Sequence, residues 1–184
     1  MEQAFQKDQI DRIIILGFFN RLQMKSSVVH QFSYEVYASA EELDPADAVL
    51  LKRAKEVTRD AYAPYSRFRV GAAARLDNGQ VVTGTNQENA SFPAGICAER
   101  VLMSTAASLY PGAAIETLAI SYHNENGPSD NPISPCGICR QSLQEFEQRT
   151  GKPIRLILGG QTGTVYKIPQ SGLLLPFAFS ADKL

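Results

Sequence analysis

The sequence predicts an α/β protein, a three-layer α/β/α sandwich built on a mixed central sheet. From residue 45 onward the hydrophobic patterns run α-β-β-α-β-α-β-β, and such alternation covers one sheet with helices on its faces. The strand patterns are apolar enough to be buried on both sides. A length of 184 residues supplies one domain with a hydrophobic core and a modest extension.

The apolar run Ile13-Ile14-Ile15-Leu16-Gly17-Phe18-Phe19 follows Asp8 and Asp11. It falls short of the ~20 residues of a membrane span. No small-residue cleavage site follows it, so neither a membrane anchor nor a secretory signal is expected, and the expected location is the cytoplasm. Residues 1–44 read as an N-terminal extension and residues 45–184 as the main domain, which carries the motifs described below. Met24 offers an alternative translation start, because residues 1–23 carry none of the motifs described below.

Val28, Phe32, Tyr34 and Val36 alternate and predict a strand over 28–36. Asp44-Pro45 reads as a helix start, an N-cap acceptor with proline at the first helical position. Val49, Leu50, Ala54, Val57 and Ala61 then mark an amphipathic helix over 45–61. Ala63-Pro64-Tyr65-Ser66 is a turn. Val70–Leu76 and Gln80–Thr85 form a hairpin about Asp77-Asn78-Gly79. A helix spans 97–109 and stops at Pro111-Gly112. Leu118–Tyr122 is a strand, and residues 123–135 are loop. A helix over 137–149 ends at Gly151, and Ile154–Leu158 and Val165–Ile168 are the last strands.

Charge narrows the partners. The net charge is −1, and no Lys/Arg block stands out. Nucleic-acid binders need a positive stripe to displace phosphate counterions, so a small, nearly neutral molecule is the expected partner, with no nucleic acid and no membrane.

The cysteines carry the chemistry. There are three, Cys97, Cys136 and Cys139, an odd and sparse set that argues against a disulfide framework. Cys136-Gly137-Ile138-Cys139 opens a predicted helix, with both thiols on one face near its positive end, and Cys97 opens another. Two helix starts aimed at one point would surround a cation with three thiolates. Zinc suits such ligands; four would close a structural site, and three leave a position for water. The set carries excess negative charge, so Arg100 and Arg140 are expected as charge-compensating donors to the sulfurs. Glu99, two residues after Cys97, can take a proton from water and return it elsewhere. His30 and His123 read as surface or packing residues rather than ligands.

Taken together, Cys97-Ala98-Glu99 and Pro135-Cys136-Gly137-Ile138-Cys139 resemble the signature of zinc deaminases. The chain is similar to the cytidine deaminase family, in its small form with three cysteine ligands. Pro64-Tyr65-Ser66-Arg67-Phe68-Arg69-Val70-Gly71-Ala72-Ala73 resembles the family's PYSxFxVGAA segment, and Asn86-Gln87-Glu88-Asn89 its NxEN segment. Leu174-Leu175-Pro176 followed by Phe179 resembles its C-terminal end. The resemblance implies one zinc per subunit and Glu99 as proton carrier in hydrolysis of cytidine or deoxycytidine to uridine or deoxyuridine and ammonia. It implies that Asn86 and Glu88 hold the ribose hydroxyls, that Phe68 packs near the pyrimidine, and that the Ala98 N–H meets the base carbonyl. It also implies a homotetramer with shared sites, in which Phe179 approaches a neighbour's substrate; Phe177 is the alternative for that place. Two other readings stay open: a deaminase of another amino-heterocycle such as a nucleoside antibiotic, and a structural zinc module whose fourth ligand is a histidine.

Overall fold

The computed structural model describes residues 26–180. The run 13–19 and Met24 lie outside them. The chain divides into two units, Met1–Gln31 and Phe32–Leu184. Residues 26–31 of the first are exposed and irregular. The second holds a six-stranded sheet.

Its elements are β1 (Glu35–Tyr37), α1 (Pro45–Val57), β2 (Phe68–Leu76), β3 (Val81–Thr85), α2 (Ala98–Leu109), β4 (Ile115–Asn124), α3 (Gly137–Thr150), β5 (Arg155–Gly159) and β6 (Val165–Ile168). The strand order is β1-β6-β5-β4-β2-β3. Only β4 and β5 pair in parallel, so the sheet is mixed.

The period of two along the strands separates two cores. Ala72, Ala74, Leu118, Ile120, Leu156 and Leu158 face α2 and α3, packing with Leu102, Ala106, Leu143 and Phe146. Ala73, Ala119 and Ile157 face α1, packing with Leu50, Leu51 and Ala54. The sheet is therefore buried on both faces between helical layers. Small residues set the spacing. A Cβ on Gly84 would lie 2.4 Å from Ala98 O and 2.5 Å from Leu102 N, so only glycine lets α2 lie this close to β3.

Two local expectations are corrected. The alternation over 28–36 yields a strand only at Glu35–Tyr37, paired with β6. Burial does not enforce it: Val28 is 91% exposed and Val36 59%. Asp44 precedes the helix as expected, yet its side chain makes no cap hydrogen bond. Its carboxylate instead lies 3.2 Å from Lys167 Nζ. Pro45, with φ already near the helical value, opens α1. On α1, buried Asp47 accepts from Arg155 Nη2 at 2.7 Å and lies 3.4 Å from Lys167 Nζ, tying the helix to β5 and β6.

Candidate metal centre and its cavity

Cys97 is the N-cap residue of α2, Cys136 that of α3, and Cys139 sits in the first turn of α3. The helix starts converge. Sulfurs of Cys97 and Cys136 lie 3.7 Å apart, and those of Cys136 and Cys139 lie 3.6 Å apart. All three Sγ atoms fall within 4.8 Å of one another. A disulfide would bring two of them to about 2.05 Å, and all three are free thiols. A tetrahedral zinc with bonds near 2.3 Å spaces its sulfurs about 3.8 Å apart, so the trio fits this metal. Among the described residues it is the one group of three or more His, Cys, Asp or Glu side chains that could hold a metal ion. His123 is exposed on β4, opposite Arg69, and His30 is exposed.

The thiols do not share charge evenly. Hydrogen bonding from Cys139, helped by Cys136 and the Arg100 charge, lowers the Cys97 thiol to about 6. Cys139 is pushed upward, first by its hydrogen bond to Cys97 and then by burial. One thiolate is thus favoured at the expense of its neighbour. Arg140 places Nε 2.8 Å from Pro135 O and Nη1 3.3 Å from Leu174 O. It ties the residue before Cys136 to the turn at Leu174.

Glu99 follows Cys97 into the first turn of α2 and is 5% exposed. Burial raises its carboxyl above the usual range, and the Cys97 charge adds to the shift. A carboxyl held this way gives up its proton less readily than an exposed one, as a proton carrier requires. Ala98 is fully buried at the start of the same helix, where first-turn N–H groups have no intrahelical acceptor.

Beside the sulfurs lies a cavity of about 520 Å³, whose wall includes Tyr65, Asn86, Glu88, Phe92 and Cys97. The Gln87 backbone joins its parts. It exchanges hydrogen bonds with Ile96, and its neighbours pair with Tyr62: Glu88 N donates to Tyr62 O, and Tyr62 N to Asn86 O. Glu88 Oε2 accepts from Tyr65 N at 2.9 Å and Ser66 N at 3.3 Å. The Ser66 side chain, then these N–H groups, holds the Glu88 carboxyl below its usual range. Asn86 accepts from Val70 N at 2.7 Å and donates to Phe68 O at 2.9 Å, so its amide also secures the end of β2.

The structure brings Cys97, Asn86 and Glu88 to one cavity. Phe68 stacks on Tyr122 with centroids 4.8 Å apart, and Phe179 lies against α3 and is 63% exposed. Phe92 and Tyr65, in edge-to-face contact at 5.8 Å, stand at the cavity. Sequence reasoning missed Phe92, which has no motif of its own. It also missed Gly84, although an isolated glycine in a strand signals close backbone approach.

Comparison with known proteins agrees with this geometry. Residues 45–151 match the family model of the cytidine and deoxycytidylate deaminase zinc-binding region. The chain is 37% identical over 136 residues to a cytidine deaminase of Halalkalibacterium halodurans, covering 74% of this chain and 96% of the relative. It is 36% identical over 140 residues to one from Mycobacterium tuberculosis, covering 74% and 91%. Among solved structures, the Burkholderia pseudomallei cytidine deaminase superposes with a TM-score of 0.61 at 38% identity, over 71% of this chain and 97% of that one. The Mycobacterium tuberculosis enzyme gives 0.57 at 33%, over 74% and 99%.

Proposed function

This chain belongs to the cytidine deaminase family, and from that premise we propose that it hydrolyses free cytidine or deoxycytidine to uridine or deoxyuridine and ammonia, in pyrimidine salvage. The observation that carries this reading is the sulfur trio at tetrahedral spacing beside buried Glu99. Cys97, Cys136 and Cys139 are the zinc ligands. When bound there, zinc would supply Lewis acidity that makes water a better nucleophile. Glu99 takes one proton from the attacking water and passes it to N3 of the base as oxygen adds to C4; it then carries the remaining hydroxyl proton to the 4-amino group as the C4–N bond breaks and C4=O forms. Water gains the carbonyl position and the amine leaves as ammonia, so atoms and charge balance.

Asn86 and Glu88 bind the ribose, and the Ala98 N–H receives the base carbonyl. Phe68, stacked on Tyr122, backs the pyrimidine side of the site. Arg100 offsets the negative charge of the sulfur set, and Arg140 fixes the backbone around it. An ionised Glu88 in the cavity works against a phosphate-bearing substrate, in keeping with the near-neutral chain. Residues 45–184 form the catalytic domain, and the extension 1–44 contributes the edge strand at Glu35–Tyr37. The protein acts in the cytoplasm as a homotetramer with shared sites, to which Phe179 contributes from a neighbouring subunit. No helix of the described residues is long and apolar enough to cross a membrane.

An ultraviolet assay of zinc-analysed protein against cytidine, deoxycytidine, CMP and adenosine tests the proposal. Turnover is expected for the first two. Preference for CMP or adenosine, or inertness toward all four, would overturn it.

A further inference from the structure

Residues 176–180 form no helix or strand, yet their path is fixed. Gln141 Nε2 donates to Phe179 O at 2.8 Å, and Phe179 N donates to Gln141 Oε1 at 3.3 Å. One side-chain amide thus satisfies both backbone groups of one residue, as a neighbouring strand would. Among the described residues beyond Leu175, these are the hydrogen bonds that hold the chain.

The same helix holds the preceding turn. Arg140 Nη1 donates to Leu174 O at 3.3 Å. Glu147, buried near the other end of α3, accepts from Ser171 N at 3.1 Å and Ser171 Oγ at 2.8 Å. The C-terminal segment is therefore fastened along α3, and Gln141 is its last fastening, two residues beyond Cys139. The Phe179 backbone is held while its ring stays 63% exposed. Such an arrangement presents a ring instead of burying it.

We infer that Gln141 is a positioning residue: it anchors the C-terminal segment at the cysteine end of α3 and thereby presents Phe179 to a bound nucleoside. The inference rests on the deaminase reading above, in which Phe179 meets substrate. Gln141 acts through Phe179 and touches no reacting atom, so its loss weakens binding and leaves chemistry intact. A purely structural glutamine would change stability without changing KM.

The test uses zinc-loaded, full-length protein with Gln141→Leu, Phe179→Ala and the double substitution. Hydrogen exchange of the Phe179 amide is measured alongside KM and kcat for cytidine. Gln141→Leu is expected to speed exchange at Phe179, with zinc content and exchange within α3 unchanged. KM should rise about 2- to 12-fold, the equivalent of one aromatic contact, with kcat within about twofold. The double variant should be no worse than Phe179→Ala, because both act through one ring. Gln141→Glu keeps the acceptor and loses the donor, and gives an intermediate response if the leucine variant folds poorly. Unchanged exchange at Phe179, an unmoved KM, or additive KM effects would overturn the inference. Wild-type protein inert toward cytidine would instead sink the deaminase reading and this inference with it, a result distinct from active wild type with an unmoved KM in the variant.

Discussion

Two carboxylates in the site sit in opposite environments, and each makes a separate prediction. Glu99 is buried and its carboxyl is raised, the condition of a proton carrier. Glu99→Gln keeps the shape and removes the titrating oxygen, so zinc content should hold while kcat falls by about 10²- to 10⁴-fold; metal analysis with the cytidine assay checks both. Glu88 is lowered by the Ser66 side chain and nearby N–H groups. Folding therefore favours its ionised form. That contribution is present above the unfolded value of 4.5 and is lost as pH falls through the lower folded value. Glu88→Gln should be less stable than wild type at neutral pH, and the gap should narrow on acidification below 4.5; urea unfolding across this range reads it. The sulfurs and Glu99 were legible in the sequence because their chemistry dictates residue type and local spacing, whereas Glu88 entered only through the resemblance of Asn86-Gln87-Glu88-Asn89 to the NxEN segment. The stacking of Phe68 on Tyr122 was not legible, because where a ring points depends on a partner that comes from another strand.

At the scale of elements, close approach decides where α2 puts Cys97 and Glu99. Gly84 admits the Ala98–Leu102 backbone, and a methyl there would meet backbone atoms that cannot move without moving the helix. Gly84→Ala should cost about 1–3 kcal/mol and lower kcat, whereas Gly79→Ala, with φ +80° and open space, should cost about 1 kcal/mol and leave kcat alone. Denaturant unfolding and the cytidine assay separate the two. On the opposite face, Asp47 binds α1 to β5 and β6 through Arg155 and Lys167. Asp47→Ala should destabilise by about 3 kcal/mol, the low end for a broken buried pair because Arg155 remains 34% exposed. The helices and central strands were legible from period alone, since burial on both faces enforces it. The strand over 28–36 and the Asp44 cap were misread for the complementary reason. An exposed alternation has no core to satisfy, and Asp44 finds its partner in Lys167, 123 residues away.

For the molecule as a whole, the sulfur trio joins α2 and α3, two layers of sequence separated by β4 and a long loop. Mutual hydrogen bonding lowers Cys97 to about 6 and pushes Cys139 up. Zinc would engage all three sulfurs only in the folded chain, where they lie within 4.8 Å of one another, so it stabilises by mass action. At free zinc a hundred times its Kd the gain is about 2.7 kcal/mol, which for a chain of this size raises Tm by about 5–10 °C. Dialysis against a chelator should lower Tm by that amount and abolish turnover, and added zinc should restore both. Cys97→Ala retains at most two of the sulfurs, so its Tm should respond little to chelator. A wild-type Tm indifferent to chelation, or a Cys97→Ala protein as responsive as wild type, would mean that the metal does not bridge the two helices.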